Sequence, residues 1–133
     1  MYKVDNARAD YVTMNISKYQ RSLYAQFRCG ILPLEVEVGR YRSIDLPERL
    51  CKQCNLMSVE DEIHFLCDCP LYHDERELLF SQATISNASF SELDSLDKFV
   101  YLMSNHERAV ILFVSHAYRK RQNYTSYIPA NNI

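Results

Sequence analysis

The sequence has no tryptophan, only two glycines among its 133 residues, and no long apolar run. Scarce glycine together with many long side chains favours helices. No apolar run approaches the roughly 20 residues that a membrane-spanning helix needs. The first ten residues, MYKVDNARAD, contain no hydrophobic signal region. We therefore expect a mainly α protein that is intracellular, nuclear or cytoplasmic and has no membrane partner.

Four of the five cysteines lie between positions 51 and 69, with a histidine among them. Cys51, Cys54, His64 and Cys69 form the pattern C-x2-C-x9-H-x4-C, in which one pair leaves a tight turn and the other pair a short helix. Zn²⁺ favours such a set because it binds thiolate and imidazole in a tetrahedron. Four protein ligands leave no open position for water or substrate. The pattern therefore predicts a structural zinc ion.

Two alternatives to this ligand set exist within the same stretch. Five cysteines in a secreted protein would suggest disulfides, but without a signal sequence a metal site in a reducing compartment is favoured. Cys67 is a rival fourth ligand, because it lies three residues after His64 on the same helical face. Cys69 is about 140° away on an unbroken helix. A break at Pro70 would let Cys69 turn towards the ion.

The length predicts a single domain over residues 1–133. We expect a small zinc-stabilised helical domain with a C-x2-C turn and at most one short β-hairpin or edge strand. Its predicted parts are an N-terminal helix and extended segment over 10–50, the zinc site over 51–76, a helical part over 77–121 and a frayed tail over 122–133.

Periodicity places the individual elements. Apolar residues at helical spacing predict a helix over about 11–28 that ends at Gly30. Alternation of apolar and acidic residues over 34–38 predicts a short edge strand. A further helix is expected over 70–83, with a loop over 81–91 after it. Three leucines of that helix are predicted to lie in the core: Leu71, Leu78 and Leu79.

The net charge of −2 is unevenly distributed. Residues 16–59 hold seven basic and four acidic groups, residues 60–97 one and ten, and residues 98–133 five and one. Such asymmetry can orient a module against a polyanion, or it can hold the segments of a monomer together. The acidic 60–97 face is a candidate surface for a protein partner.

The candidate nucleic-acid contacts are basic residues and one tyrosine: Lys18, Arg21, Arg28, Arg40, Tyr41, Arg42, Arg119, Lys120 and Arg121. Basic side chains bind phosphates, and an exposed aromatic ring stacks on bases. Simpler roles are available to each group. The first three suit a solvated helix face, Tyr41 suits the core, and the cluster 119–121 suits the negative end of a helix.

Residues 51–76 and their neighbours resemble the cysteine-rich C-terminal tail of non-LTR (LINE-type) retrotransposon reverse transcriptases. The matching positions are Cys51, Cys54, Glu60 to Glu62, His64-Phe65-Leu66, Cys69-Pro70, Tyr72 and Arg76. The similarity spans most of the chain but is specific only in this stretch, where it favours Cys69 over Cys67. It implies a zinc-binding tail, as a standalone copy or a fragment, that helps a polymerase hold RNA or DNA.

The chain has no Y-x-D-D motif, no polymerase palm and no recognisable endonuclease motif. Reverse transcription needs clustered carboxylates that hold two metal ions, so we expect no catalysis. The leading hypothesis is a non-catalytic zinc module that binds RNA or DNA. The alternative is a zinc-stabilised protein-interaction module that does not bind nucleic acid. A thiol redox role for Cys51 and Cys54 is disfavoured, because no redox-type strand-to-helix setting precedes them.

Overall fold

The computed structural model describes residues 16–127, with side chains up to Tyr124. Five α-helices occupy most of this part: α1 (Lys18–Arg28), α2 (Glu35–Tyr41), α3 (His73–Ser86), α4 (Ser95–Asn105) and α5 (Glu107–Tyr127). Between them lie a π-helical stretch (His64–Asp68) and short 3₁₀ turns (Leu46–Glu48, Pro70–Tyr72 and Phe90–Glu92). No β-sheet forms within residues 16–127, and the prediction of a mainly α fold is confirmed there. The predicted start of the first helix and residues 128–133 of the predicted frayed tail lie outside the described residues. Residues 122–127 of that tail belong to α5, so the prediction that they are frayed is wrong.

Helix α1 begins and ends on residues suited to those positions. The Ser17 hydroxyl accepts from the Gln20 backbone N–H, and the Gln20 side chain accepts from the Ser17 N–H (both 3.1 Å). This reciprocal capping satisfies two donors that the first helical turn leaves unpaired. Gly30 has a φ of 76° just after the helix, as predicted, because glycine adopts this left-handed conformation without steric cost.

The strand predicted over 34–38 is wrong, because these residues begin α2. The Glu35 N–H donates to the buried Glu60 carboxylate (2.7 Å), and the Val36 N–H donates to the Glu60 carbonyl (3.1 Å). These bonds satisfy donors at the helix start, where the N-cap residue Leu34 makes no side-chain hydrogen bond. A Cβ on Gly39 would lie 2.5 Å from Cγ of Arg49, so the glycine allows close packing of that arginine. Tertiary contacts thus override the alternating pattern.

The core lies between α1, α3, α5 and the π-helical stretch. Aromatic rings meet at its centre: Phe65 lies 6.0 Å from Phe27, 4.9 Å from Tyr72 and 5.8 Å from Phe113, centroid to centroid. Such tilted and edge-on pairs add to the free energy gained from burial. Because Phe65 follows His64 directly, this aromatic cluster supports the segment that carries the histidine.

Helix α3 differs from the prediction in two respects. It continues to Ser86, so the first half of the predicted loop is helical. Leu79 is buried and Leu71 is half-buried, but Leu78 is 67% exposed. The prediction that Leu78 lies in the core is therefore wrong. Ile85, seven residues further along the same helix, is 85% exposed, so α3 presents apolar side chains outwards.

Among residues 16–127, no helix is both long and apolar enough to cross a membrane.

Candidate metal centre

The structure brings four side chains together as one group: Cys51, Cys54, His64 and Cys69. Their Sγ atoms and a ring nitrogen of His64 all lie within 4.8 Å of one another. The sulfurs of Cys51 and Cys69 are 3.9 Å apart, and the sulfur of Cys54 is 3.5 Å from Nε2 of His64. Three members are buried and Cys54 is half-buried. The group can hold a metal ion.

Two of the separations within the group fit tetrahedral coordination. Zinc binds thiolate sulfur at about 2.3 Å and imidazole nitrogen at about 2.0 Å. At tetrahedral angles, two sulfurs are then about 3.8 Å apart, and a sulfur and a nitrogen about 3.5 Å apart. The observed separations of 3.9 and 3.5 Å lie close to these values. One imidazole and three thiols are also the donor types that zinc prefers.

Cys51 and Cys54 lie on a loop that is closed at its base. Leu50 and Val59 form an isolated antiparallel bridge, and the Cys51 N–H donates to the Ser58 carbonyl (2.8 Å). Inside the loop, the Gln53 N–H donates to the sulfur of Cys51 (3.4 Å). Met57 adopts a φ of 60°, an uncommon conformation for a residue with a side chain. This positive φ turns the chain back towards Val59.

His64 and Cys69 lie at the two ends of the π-helical stretch. The Cys69 N–H donates to the His64 carbonyl over 2.8 Å, which is the i to i+5 bond of a π-helix. The wider turn brings positions five residues apart to the same side, whereas an α-helix would hold them about 140° apart. Cys69 itself is extended (ψ 123°), as residues before a proline tend to be. The break expected at Pro70 is present, together with a widened turn that the sequence did not indicate.

Cys67, the rival fourth ligand, lies outside the group. Its side chain is buried elsewhere, at the floor of a depression that includes Phe80 and Phe90. Burial raises the pKa of Cys67 to about 12, as expected for a thiol in apolar surroundings. The structure therefore groups Cys69, and not Cys67, with the other three residues.

Arg76 stabilises the π-helical stretch through hydrogen bonds to its backbone. It is buried, and its guanidinium donates to the carbonyls of Leu66 (2.8 Å) and Phe65 (3.1 Å). Carbonyls left without a partner in a widened turn are costly when buried. Arg76 satisfies two of them with one planar group.

The thiols of Cys51 and Cys69 share one hydrogen bond. This bond raises the pKa of Cys51 to about 12, and burial acts in the same direction. The same bond lowers the pKa of Cys69, although burial opposes that shift. Burial also raises the pKa of Cys54. A metal ion binds cysteines as thiolates and therefore displaces their protons. The proton shared by the sulfurs of Cys51 and Cys69 lies where a metal cation can bind instead.

The metal-ligand loop is tied to α5 by Glu60, which follows the loop directly. Glu60 is 0% exposed and Arg121 is 9% exposed. The guanidinium of Arg121 donates two hydrogen bonds to the Glu60 carboxylate, of 2.7 and 2.8 Å. Burial opposes the charge of Arg121, but these bonds outweigh it and raise its pKa. No local pattern indicates this pair, because the two residues are distant in the sequence.

The predicted nucleic-acid contacts fall into two groups. In the first, the side chains are engaged by the protein. Arg21 donates to the Ile16 carbonyl (3.3 Å), Arg28 lies 3.8 Å from the Glu107 carboxylate, and Lys120 lies 3.3 Å from that of Glu75. Arg121 belongs to the buried pair with Glu60. These four side chains therefore have contacts within the fold.

The second group is exposed: Lys18, Arg40, Tyr41, Arg42 and Arg119. Tyr41 is 74% exposed, so the prediction that it packs in the core is wrong. The Arg40 guanidinium lies 4.7 Å from the centre of the Tyr41 ring and pairs with Glu37 (2.9 Å). Arg119 lies similarly over the ring of Tyr19 (5.2 Å). The surface thus carries two arginine–tyrosine pairs.

Comparisons of the chain with protein-family models, with curated proteins and with solved structures found no match. They do not link it to the LINE-type polymerase tails, so that resemblance rests on the motif over residues 51–76.

Proposed function

We propose that the chain is a non-catalytic module that is stabilised by a structural zinc ion and binds RNA or DNA. In this proposal it derives from the C-terminal tail of a LINE-type reverse transcriptase. The zinc ion would be held by Cys51, Cys54, His64 and Cys69, and would fix the loop and the π-helical stretch relative to each other.

The assignment of zinc is supported by the donor set and its spacing. Three thiols and one imidazole, with two separations close to tetrahedral values, suit zinc better than calcium or magnesium, which prefer oxygen ligands. Four protein ligands complete the coordination shell. A complete shell favours a structural role over a catalytic one, because catalytic zinc keeps one position for water or substrate.

The observation that carries nucleic-acid binding is the exposed Arg40–Tyr41 pair. A tyrosine with 74% of its surface exposed gains little from folding. The Arg40 guanidinium lies over the ring and orients it for a base. Because Arg40 is paired with Glu37, charge for phosphate comes from its neighbour Arg42. Arg42 follows at once and is also exposed. A cationic, aromatic surface of this kind suits a polyanion with flat bases.

A salt titration tests this proposal. The zinc-reconstituted chain is mixed with labelled RNA and DNA, and binding is followed by fluorescence anisotropy between about 50 and 200 mM salt. We expect affinity that falls steeply with salt and falls about tenfold in the double variant Arg40→Ala/Tyr41→Ala. Arg108→Ala is the matched control, since it removes one exposed arginine from another surface. Undetectable binding at low salt would contradict the proposal.

A second candidate function is protein interaction through α3. Its outward side carries Leu78 and Ile85, the exposed apolar residues noted above, beside acidic side chains such as Asp74 and Glu77. Exposed apolar residues rimmed by charge are typical of protein-binding surfaces. Co-purification of a protein partner that survives nuclease treatment, and is lost in the double variant Leu78→Ser/Ile85→Ser, would favour this function over nucleic-acid binding.

A further inference from the structure

A shallow depression of about 450 Å³ opens beside the metal-ligand group. One side is formed by the loop, with Lys52, Asn55 and the half-buried Cys54. The other side is formed by Leu71, after the π-helical stretch, and by Tyr124 near the end of α5. Three separate segments therefore meet at this position, and one of them contributes a metal-ligand cysteine.

The lining of this depression differs from that of other depressions on the described part. The groove between α3 and α5 includes Glu75 and Glu107, the depression above Cys67 includes Glu77, and a smaller one near Phe27 includes Asp61 and Glu62. The depression beside the metal ligands has no carboxylate in its lining. It offers the ammonium group of Lys52, the amide of the exposed Asn55, one aromatic ring and apolar carbon, whereas the Gln53 side chain is buried. This combination disfavours a cation and suits a flat, polar ligand with negative charge.

We propose that this depression binds one unpaired nucleotide of a single-stranded nucleic acid. The base stacks on the ring of Tyr124, the amide of the exposed Asn55 contacts its edge, and Lys52 contacts the phosphate. Amide side chains suit a base edge because they donate and accept hydrogen bonds. The proposal rests on the proposed function and narrows it, since a base paired in a duplex cannot enter such a depression.

The charge and exposure of the lining residues agree with this role. Lys52 keeps 64% of its side-chain surface exposed, and its Nζ is 3.8 Å from the Glu35 carboxylate. That long ion pair leaves the ammonium accessible to a phosphate. Tyr124 is exposed rather than packed in the core. Leu56 and Met57, which follow Asn55 in the loop, are also exposed.

The metal ligands fix the shape of the depression. Lys52 and Gln53 lie between Cys51 and Cys54, so their backbone is held wherever both sulfurs are held. Leu71 follows Cys69 closely, and its side of the depression is fixed in the same way. The nucleotide site is therefore preorganised by the metal centre, and preorganisation lowers the entropic cost of binding.

Single-residue variants of Tyr124 test the proposal in the zinc-reconstituted full chain. The probes are a short single-stranded RNA with one 2-aminopurine, the corresponding single-stranded DNA, and a duplex. We expect Tyr124→Ala to weaken single-strand binding about fivefold or more and to remove the quenching of 2-aminopurine. Tyr124→Phe keeps the aromatic ring, so affinity and quenching should stay within about twofold of the unmodified chain. Duplex affinity should change by less than about twofold in both variants.

The contradicting outcomes are distinct. Single-strand affinity and quenching that are unchanged in Tyr124→Ala would overturn this inference and leave the proposed function intact. If the unmodified chain binds the duplex but not the single strands, this inference is likewise overturned and the proposed function stays intact. A chain that binds neither single strands nor duplex would overturn the proposed function together with this inference. Melting temperatures of the variants, measured in parallel, identify any loss that comes from unfolding.

Discussion

Glu60 and Arg121 are 61 positions apart in the sequence and form a buried, two-bond ion pair of 2.7 and 2.8 Å. Glu60 also accepts the backbone N–H that begins α2 (2.7 Å). One carboxylate therefore joins the end of the metal-ligand loop, the start of α2 and the last turns of α5. This junction connects the candidate metal centre to the helix that carries Arg40 and Tyr41.

Breaking this pair should destabilise the protein strongly. Removing one partner of a buried ion pair leaves an uncompensated charge and costs about 3–5 kcal/mol. We therefore expect Arg121→Leu to lower the free energy of unfolding by about that amount, as measured by urea denaturation. The control is Lys120→Ala, which removes a half-buried pair with Glu75 and should cost at most about 1 kcal/mol. Equal losses of unfolding free energy in the two variants would show that the Glu60–Arg121 pair stabilises the fold no more than a surface ion pair does.

Cys67 and Cys69 should respond differently to substitution. Cys69→Ala removes a member of the four-residue group, so the chain should no longer bind zinc stoichiometrically. Cys67→Ala removes a buried thiol outside the group, and one zinc ion per chain should remain. The measurement is zinc content after gel filtration, determined by a colorimetric chelator. Retained zinc in Cys69→Ala, with loss in Cys67→Ala, would reverse the assignment.

Metal affinity should rise with pH in the neutral range. The pKa of Cys51 is raised to about 12 and the pKa of Cys54 is also raised, so both thiols carry protons at pH 7. Zinc must displace these protons, and its apparent affinity should increase about 100-fold per pH unit if two are released. Competition with a chelator at about pH 6.5, 7.0 and 7.5 measures how the apparent zinc affinity changes with pH. An affinity that does not change with pH would exclude thiolate ligands.

Removing the metal should unfold the central part of the chain. Structural zinc contributes about 10–16 kcal/mol of apparent binding free energy in finger peptides, whereas a domain is stable by only about 5–15 kcal/mol. Chelation should therefore lower the helical circular dichroism signal and the melting temperature. Cys54→Ser should have the same effect without chelator. The matched control is Cys29→Ser, an exposed cysteine outside the group, which should melt like the unmodified chain.

The candidate site could be predicted largely because its signal is local. Cys51, Cys54, His64 and Cys69 are close in sequence, and their spacing alone indicated a tetrahedral set. The expected break at Pro70 already favoured Cys69 over Cys67, and the resemblance strengthened this choice. The physical cause, a π-helical turn, was not predicted. Such a turn needs buried carbonyl acceptors to be satisfied, and Arg76 does this from another helix. Periodicity within the stretch contains no information about that partner.

The errors in the fold have a common cause in contacts between distant segments. Residues 34–38 alternate like a strand, but the carboxylate of Glu60 begins a helix there. Leu78 and Tyr41 were predicted to be buried because they are apolar or aromatic, yet both are exposed. Arg121 was predicted as a phosphate contact, and the fold uses it to neutralise Glu60. Whether a charged residue forms an ion pair within the fold depends on the tertiary structure and not on its neighbours in the sequence.

Native mass spectrometry of the zinc-reconstituted chain tests the central claim most directly. The account predicts one zinc ion per unmodified chain and none in Cys54→Ser or His64→Ala. A chain that carries no zinc, or variants that bind it as well as the unmodified chain does, would contradict the assignment of these four residues as a structural metal centre.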